Sequence, residues 1–244
     1  MAGQDLVFIG DAHLDRDDPD LPDFLTMLEG LKQSARRVIL IGDLFNLWIG
    51  RPEMEQPHQT AVLRKLAELR AAGVSVHYVE GNRDYRIAPA YIGEPLDGAG
   101  DQGIHEEQGG LRLYAIHGDL VNREDKQYRR WRWFSRTPLF WGIFRLLPRR
   151  RSLKLAEDLE ARLRRTNLAH KQVFPEEQVR SYAAEFLAEH DAVILGHFHV
   201  EKVLEARPPS PPGKIWILPL WKDDRRYLRI TPQGEIGFVG PGSC

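Results

Sequence analysis

Five short apolar runs punctuate this chain: Leu6-Val7-Phe8-Ile9, Val38-Ile39-Leu40-Ile41, Val74 to Val79, Leu111 to Ile116 and Ala192-Val193-Ile194-Leu195. Just after them come, in turn, Asp11 and His13, Gly42-Asp43, Gly81-Asn82, His117-Gly118-Asp119 and Gly196-His197-Phe198-His199. Runs this short, rich in aliphatic and β-branched residues, read as buried strands. In open α/β sheets ligands gather beyond the carboxyl ends of the strands, so five such ends would aim Asp, Asn and His side chains at one crevice.

The spaces between the runs fit that reading. Apolar residues at Leu21, Phe24, Leu25, Leu28 and Leu31, and again at Ala61, Leu63, Leu66 and Leu69, have helical spacing. They predict helices over about 20–35 and 57–72, the second stopped by Gly73. The first third is then a parallel βαβαβ unit with right-handed crossovers. Residues 86–110, with six glycines and two prolines, read as an irregular connection. Residues 120–175 break the repeat with a basic, aromatic helical stretch, which predicts a cap inserted into a core of residues 1–119 and 176–244. A last helix over 175–190 leads to the strand at 192–195. Strands at 214–219, 225–230 and 235–239 are spaced like an antiparallel meander completing a second sheet.

Composition excludes several classes. A 244-residue chain that is 42% hydrophobic can bury a full core. No stretch approaches a membrane-spanning helix and no leader pattern precedes the first strand, so a cytoplasmic location is expected. The single cysteine, Cys244, excludes an intramolecular disulfide and a cysteine-rich zinc site. Net charge is only −1, but Lys126 to Lys171 holds fourteen Lys or Arg against three acidic residues. That asymmetry points this one segment at an anionic partner.

Mixed carboxylate, imidazole and amide oxygen donors suit divalent Mn, Fe or Zn. Asp11, His13, Asp43, Asn82, His117, His197 and His199 supply seven. Two ions need a bridging ligand, which a carboxylate can be and an imidazole cannot; Asp43 is the expected bridge. A metal pair activates a water and neutralises charge on phosphoryl oxygens, so hydrolysis at phosphorus is the expected chemistry. Each motif alone is weak, since Gly-Asp and Gly-Asn also make ordinary turns. Order and placement together carry the metal reading. Alternating His197 and His199 would face opposite sides of a strand unless it bends, which Gly196 would permit. Histidines 58, 77, 105, 170 and 190 read as surface or packing residues.

Asp11-Ala12-His13, Gly42-Asp43, Gly81-Asn82-Arg83-Asp84, His117-Gly118-Asp119 and Gly196-His197-Phe198-His199 resemble the five-part signature of the calcineurin-like metallophosphoesterases. The resemblance implies a four-layer αββα sandwich around a dinuclear centre, often of Mn²⁺. It further implies that Asp11, His13, Asp43 and His199 hold one ion, and Asp43, Asn82, His117 and His197 the other. Many members carry His after the Gly-Asn pair as an aid to the leaving group, whereas this chain has Arg83. A phosphate leaving from a pyrophosphate needs less help than an alkoxide, and a guanidinium fork could instead hold phosphoryl oxygens.

That substitution, with Gly42 to Gly50 (including Trp48), Tyr85, Asp125 and Tyr128, is similar to the UDP-2,3-diacylglucosamine pyrophosphohydrolases of lipid A assembly. By that similarity the substrate is a UDP-linked acylated glucosamine, cleaved to UMP and a lipid monophosphate. Substrate contacts would come from Asn82, Arg83, Asp125, Tyr128, Trp48 and His197, with Arg164 and Lys171 as candidates from the cap. Independently, Tyr128, Trp131, Trp133, Phe134, Phe140, Trp141 and Phe144 interleave with arginines. This suits an anionic lipid or the cytoplasmic face of an inner membrane, better than single-stranded nucleic acid or plain packing on the core. Departures include Gly10, Arg51-Pro52 and Phe198 between the histidines. Another phosphodiesterase or nucleotide pyrophosphatase on this fold, or a non-catalytic binding protein, stays open; no obligate protein partner is evident.

Overall fold

A computed structural model describes residues 4–240 apart from 149, 153, 156, 157, 159–173 and 209. The sequence-predicted runs at its start form β1 (Asp5–Gly10), β2 (Ala35–Ile41) and β4 (Ser75–Val79), paired in parallel. Between them lie α1 (Leu21–Ser34) and α2 (Pro57–Ala71). The second helix starts on Pro57, where Gln56 and Gln59 exchange side-chain to backbone bonds as a capping box, and it ends before Gly73, whose φ is +90°.

Period-two alternation along the strands separates the layers. In β1, Val7 and Ile9 join Val38, Leu40, Val76 and Tyr78 in a core completed by Phe24, Leu28 and Leu31 of α1 and Val62, Leu66 and Leu69 of α2. Their neighbours Leu6, Phe8, Ile39 and Ile41 turn the other way, toward Leu113, Ala115, Ala192, Ile194 and Trp216. Those residues belong to a second sheet made of β7 (Ile104–Gln108), β8 (Leu111–Ile116), β9 (Ala192–Leu195), β10 (Lys202–Glu205) and β11 (Lys214–Ile217). The outer face of that sheet, with Ile116, Val193, Leu195 and Ile217, is covered by Val179, Tyr182, Ala183 and Leu187 of the helix Glu176–Leu187. Helices, sheet, sheet and helix make the αββα sandwich, and strands buried on both faces explain why their runs are continuously apolar.

Sheet membership departs from expectation at the chain's end. The first sheet has the order β13 (Ile236–Val239), β12 (Tyr227–Ile230), β1, β2, β4 and β6 (Gly98–Gly100), and the second β10-β11-β9-β8-β7. Of the three strands expected to complete the second sheet, only β11 does so, lying parallel to β9. The others, β12 and β13, cross to the first sheet, where β12 runs antiparallel to β1. The segment expected to be irregular holds the short helix α3 (Ala88–Tyr91), β6 and β7. A Gly-Ala-Gly edge strand and the polar Ile-His-Glu-Glu-Gln of β7 carry too few apolar side chains to signal a strand. A two-stranded ribbon pairs β3 (Trp48–Ile49) with β5 (Asp84–Tyr85).

After His117 the chain leaves the sheet for α4 (Lys126–Ser135) and α5 (Pro138–Leu146). Asp125 caps α4 by accepting from Tyr128 N at 2.8 Å. Thr137 caps α5 by accepting from Phe140 N, with Pro138 in the first turn. On its inner side α5 places Trp141 and Phe144 against Met54 and Tyr85.

Candidate metal centre

The strand ends carry unusual backbone. Among the described residues eight non-glycine residues have positive φ, and five of them are Asp11 (51°), His13 (45°), Asp43 (53°), His197 (71°) and His199 (55°). A left-handed conformation is unfavourable for a residue with a Cβ, and such strain persists where the surroundings over-determine it, commonly at functional sites. These kinks also correct the expected cause of the histidine turn. His197 and His199 themselves adopt positive φ; Gly196 is required for space, since a Cβ there would sit 2.8 Å from Asp11 Oδ2. Gly81 is under the same constraint, a Cβ falling 2.4 Å from Asp43 Oδ1.

Two groups of side chains result. His13 Nε2 and His199 Nε2 lie 2.9 Å apart, and they approach Asp11 Oδ1 at 3.7 and 3.3 Å. On the other side, Asn82 Oδ1 stands 3.1 Å from His117 Nε2 and 3.0 Å from His197 Nδ1. Asp43 faces both: its Oδ2 is 3.8 Å from His13 Nε2 and its Oδ1 3.7 Å from His117 Nε2. The structure thus brings together all seven predicted donors, and puts His197 and His199 of the last motif in different groups.

Whether these residues fit a cation is decided by their spare valences and their field. Asp11 uses Oδ2 to accept from His197 N at 2.7 Å, while its buried Oδ1 has no hydrogen-bond partner. His117 Nδ1 donates to Ile41 O at 3.0 Å, which leaves Nε2, facing the Asp43 and Asn82 oxygens, to carry either a proton or a metal ion. Burial opposes charge on His117, yet the Asp43, Asp11 and Asp119 carboxylates raise its pKa to about 9. Burial and the neighbouring His117 push His197 down to about 4. The crevice therefore has a potential that favours one positive charge, and unused donors to hold it. Asp11, His13 and His199 on one side and Asp11, Asp43 and His117 on the other place their donor atoms within 4.8 Å of one another. The donors fit a divalent metal.

Two carboxylates beside the predicted donors organise the loops. Asp84 is fully buried, and its Oδ2 accepts from Asp43 N (2.9 Å), Gly81 N (2.8 Å) and Tyr78 Oη (2.8 Å). Burial and the Asp43 charge push its pKa up to about 7. Asp119 accepts from Arg132 Nε at 2.7 Å and from the Tyr128 hydroxyl. Burial opposes its charge, but Arg132 and His117 hold its carboxyl below the usual range. Both lie in the quoted motifs, and the signal that could have singled them out is an acid two residues beyond a metal donor.

Expected substrate contacts fare differently. Arg83 is only 1% exposed; its Nη1 donates to Asn46 O at 3.1 Å and its Nε lies 3.5 Å from Asp43 Oδ2, so the fork steadies Asp43 instead of lying open to a phosphate. Trp48 is likewise core, packed edge-on against Phe45 and Tyr78. Asp125 and Tyr128 are engaged by α4 and Asp119. Arg164 and Lys171 lie outside the described residues.

Residues 5–201 match the calcineurin-like phosphoesterase family. A protein of Neisseria gonorrhoeae named UDP-2,3-diacylglucosamine hydrolase is 31% identical over 252 residues, covering 97% of this chain and 98% of that one. A Pseudomonas putida protein of the same name is 29% identical over 242 residues, covering 94% and 96%. With a match across the strand ends that supply every donor, and relatives aligned nearly end to end, the chain belongs to the calcineurin-like phosphoesterases.

Proposed function

We propose that this chain is a metal-dependent pyrophosphohydrolase that cleaves UDP-2,3-diacylglucosamine to UMP and 2,3-diacylglucosamine 1-phosphate at a membrane surface. The observation that carries the reading is the convergence of seven metal-type donors, several with unused lone pairs, next to an exposed aromatic and basic helix pair. Full-length relatives that bear the name of this hydrolase support the substrate. The departure of α4 and α5 from the sheet after His117 supports reading residues 120–175 as a cap inserted in a core of 1–119 and 176–244.

In this reading Asp11, His13, Asp43 and His199 would hold one divalent ion and Asp43, Asn82, His117 and His197 a second, with Mn²⁺ the proposed metal. When bound, such a pair activates a water and neutralises charge developing on the phosphoryl oxygens. The protein's own part is orientation. Ile41 O fixes the His117 tautomer, Asp84 fixes the loops of Asp43 and Asn82, and the Arg83 N–H and guanidinium offset part of the burial that raises the Asp43 pKa.

The helix pair supplies the lipid side. Trp133 (72% exposed), Leu139 (70%), Ile143 (59%) and Leu146 (84%) are bare, amid arginines. Since α5 also buries Trp141 and Phe144 inward, it is apolar on two sides, as suits an element lying in a lipid interface. The exposed stripe of α5 supports a peripheral contact, proposed at the cytoplasmic face; no helix among the described residues is long and apolar enough to cross a membrane.

Incubating Mn²⁺-loaded protein with UDP-2,3-diacylglucosamine in detergent and heavy-oxygen water, then weighing the products, tests the reading. UMP and the lipid monophosphate, one of them labelled, are expected. An intact substrate, with a simple phosphodiester still hydrolysed, would overturn the substrate and leave the metal centre.

A further inference from the structure

Arg132 and Arg136 lie four residues apart at the end of α4, and so project from one side of it. Both are turned inward, with side chains 9% and 13% exposed, whereas Arg129 and Arg130 of the same helix face solvent. Arg132 Nε holds Asp119, two residues beyond His117, and its Nη1 and Nη2 reach Asp101 Oδ2 and Asp101 O at 3.4 and 3.3 Å.

Arg136 grips main chain. Its Nη2 donates to Gly81 O at 2.9 Å and to Asp84 O at 3.2 Å, the carbonyls on either side of Asn82 and Arg83. Its Nε lies 3.6 Å from Asp101 Oδ2 and 3.8 Å from Glu80 Oε2, and its guanidinium sits 5.9 Å over the Tyr85 ring. The turn from Gly81 to Asp84 is therefore held on two sides. The Asp84 carboxylate takes the N–H of Gly81, and Arg136 takes both carbonyls. Burying a guanidinium is costly unless it is paired, and the acceptors that Arg136 Nη2 finds are the two carbonyls that flank Asn82 and Arg83.

We propose that Arg136, backed by Arg132, is a positioning residue for the metal centre: it fixes the trace of the Gly81–Asp84 turn, and with it the place of Asn82. The aromatic helix pair and the metal centre then form one mechanical unit. The proposal rests on the reading of Asn82 and His117 as metal ligands.

Calorimetric titration of the full, substrate-free chain with Mn²⁺ tests it without reference to the lipid. Arg136→Ala is expected to weaken Mn²⁺ binding about tenfold, the usual effect of losing a group that orients a ligand. Turnover of bis(p-nitrophenyl) phosphate at limiting Mn²⁺ should fall in kcat with KM little changed. Arg136→Lys, or guanidinium ions added to Arg136→Ala, should restore part of both. A folded Arg136→Ala with the wild-type Mn²⁺ isotherm, raising only KM for an acylated substrate, would overturn the proposal in favour of helix docking. If Arg136→Ala does not fold, Arg136→Met, which keeps an apolar stem and loses the donors, decides alone: an isotherm and kcat equal to wild type overturn it. A wild-type chain that binds no Mn²⁺ would instead overturn the metal reading beneath it.

Discussion

Asp84 ties together two of the loops that carry the proposed metal donors. Its one oxygen takes three buried donors, two of them the backbone N–H groups that open the Asp43 and Asn82 loops. Removing the acceptor leaves all three unpaired, and each buried unsatisfied donor costs about 1–3 kcal/mol. Asp84→Ala is therefore expected to lose roughly 3 kcal/mol or more in urea unfolding, along with most phosphodiester turnover. Tyr78→Phe removes one of the three bonds and the one that the hydroxyl accepts from Leu44 N at 3.3 Å, and should cost about 2 kcal/mol with turnover largely kept. Equal losses in the two variants would show that Asp84 does not organise the loops. The same scale explains the left-handed backbone at five donors: hydrogen bonds such as His13 N to Asp43 O (2.9 Å) and Asp11 N to Gly42 O (3.2 Å) tie one loop to the next and hold conformations that each residue alone would avoid.

At the scale of elements, α5 divides its apolar residues between two destinations. Trp141 and Phe144 pack on Met54 and Tyr85, while Leu139, Ile143 and Leu146, spaced i, i+4 and i+7, line an outer stripe. Changing Leu139 and Ile143 together to Asp should abolish co-sedimentation with anionic vesicles and raise KM severalfold for an acylated substrate. Turnover of a soluble diester should not move, because neither side chain enters the core. Unchanged vesicle binding would locate the lipid contact elsewhere. The amphipathic, arginine-flanked character of this region was legible in sequence, but its division into α4 and α5 with two apolar faces needed the fold. Strands buried on both faces, such as β1 and β9, were legible as unbroken apolar runs. The Gly-Ala-Gly strand β6 was not, and the short spacing of β12 and β13 told of an antiparallel meander without telling which sheet receives it. Arg83 and Trp48 were legible as residue types but not as orientations, because a site-facing and a core-facing side chain read the same in one dimension.

Across the whole molecule, the two sheets share the centre. The first gives Asp11, His13, Asp43 and Asn82 from the ends of β1, β2 and β4; the second gives His117, His197 and His199 from β8 and β9. The core between them, from Leu6 and Phe8 to Ile194 and Trp216, sets the distance at which the donors meet. Bound metal would span both sheets and so report on global unfolding. Binding to the folded state alone stabilises by about 2.7 kcal/mol at one hundred times the dissociation constant, and a chain of this size gains about 2–4 °C in melting temperature per kcal/mol. Chelation is therefore expected to lower the melting temperature by about 5–10 °C relative to Mn²⁺-saturated protein, with recovery on adding Mn²⁺ back. His117→Ala, which removes a donor from the second sheet, should melt at the same temperature with and without chelator if that donor is essential to binding. A wild-type melt that chelator leaves in place would mean that no ion joins the sheets. A His117→Ala melt that still rises with Mn²⁺ would mean that the first-sheet donors and His199 suffice.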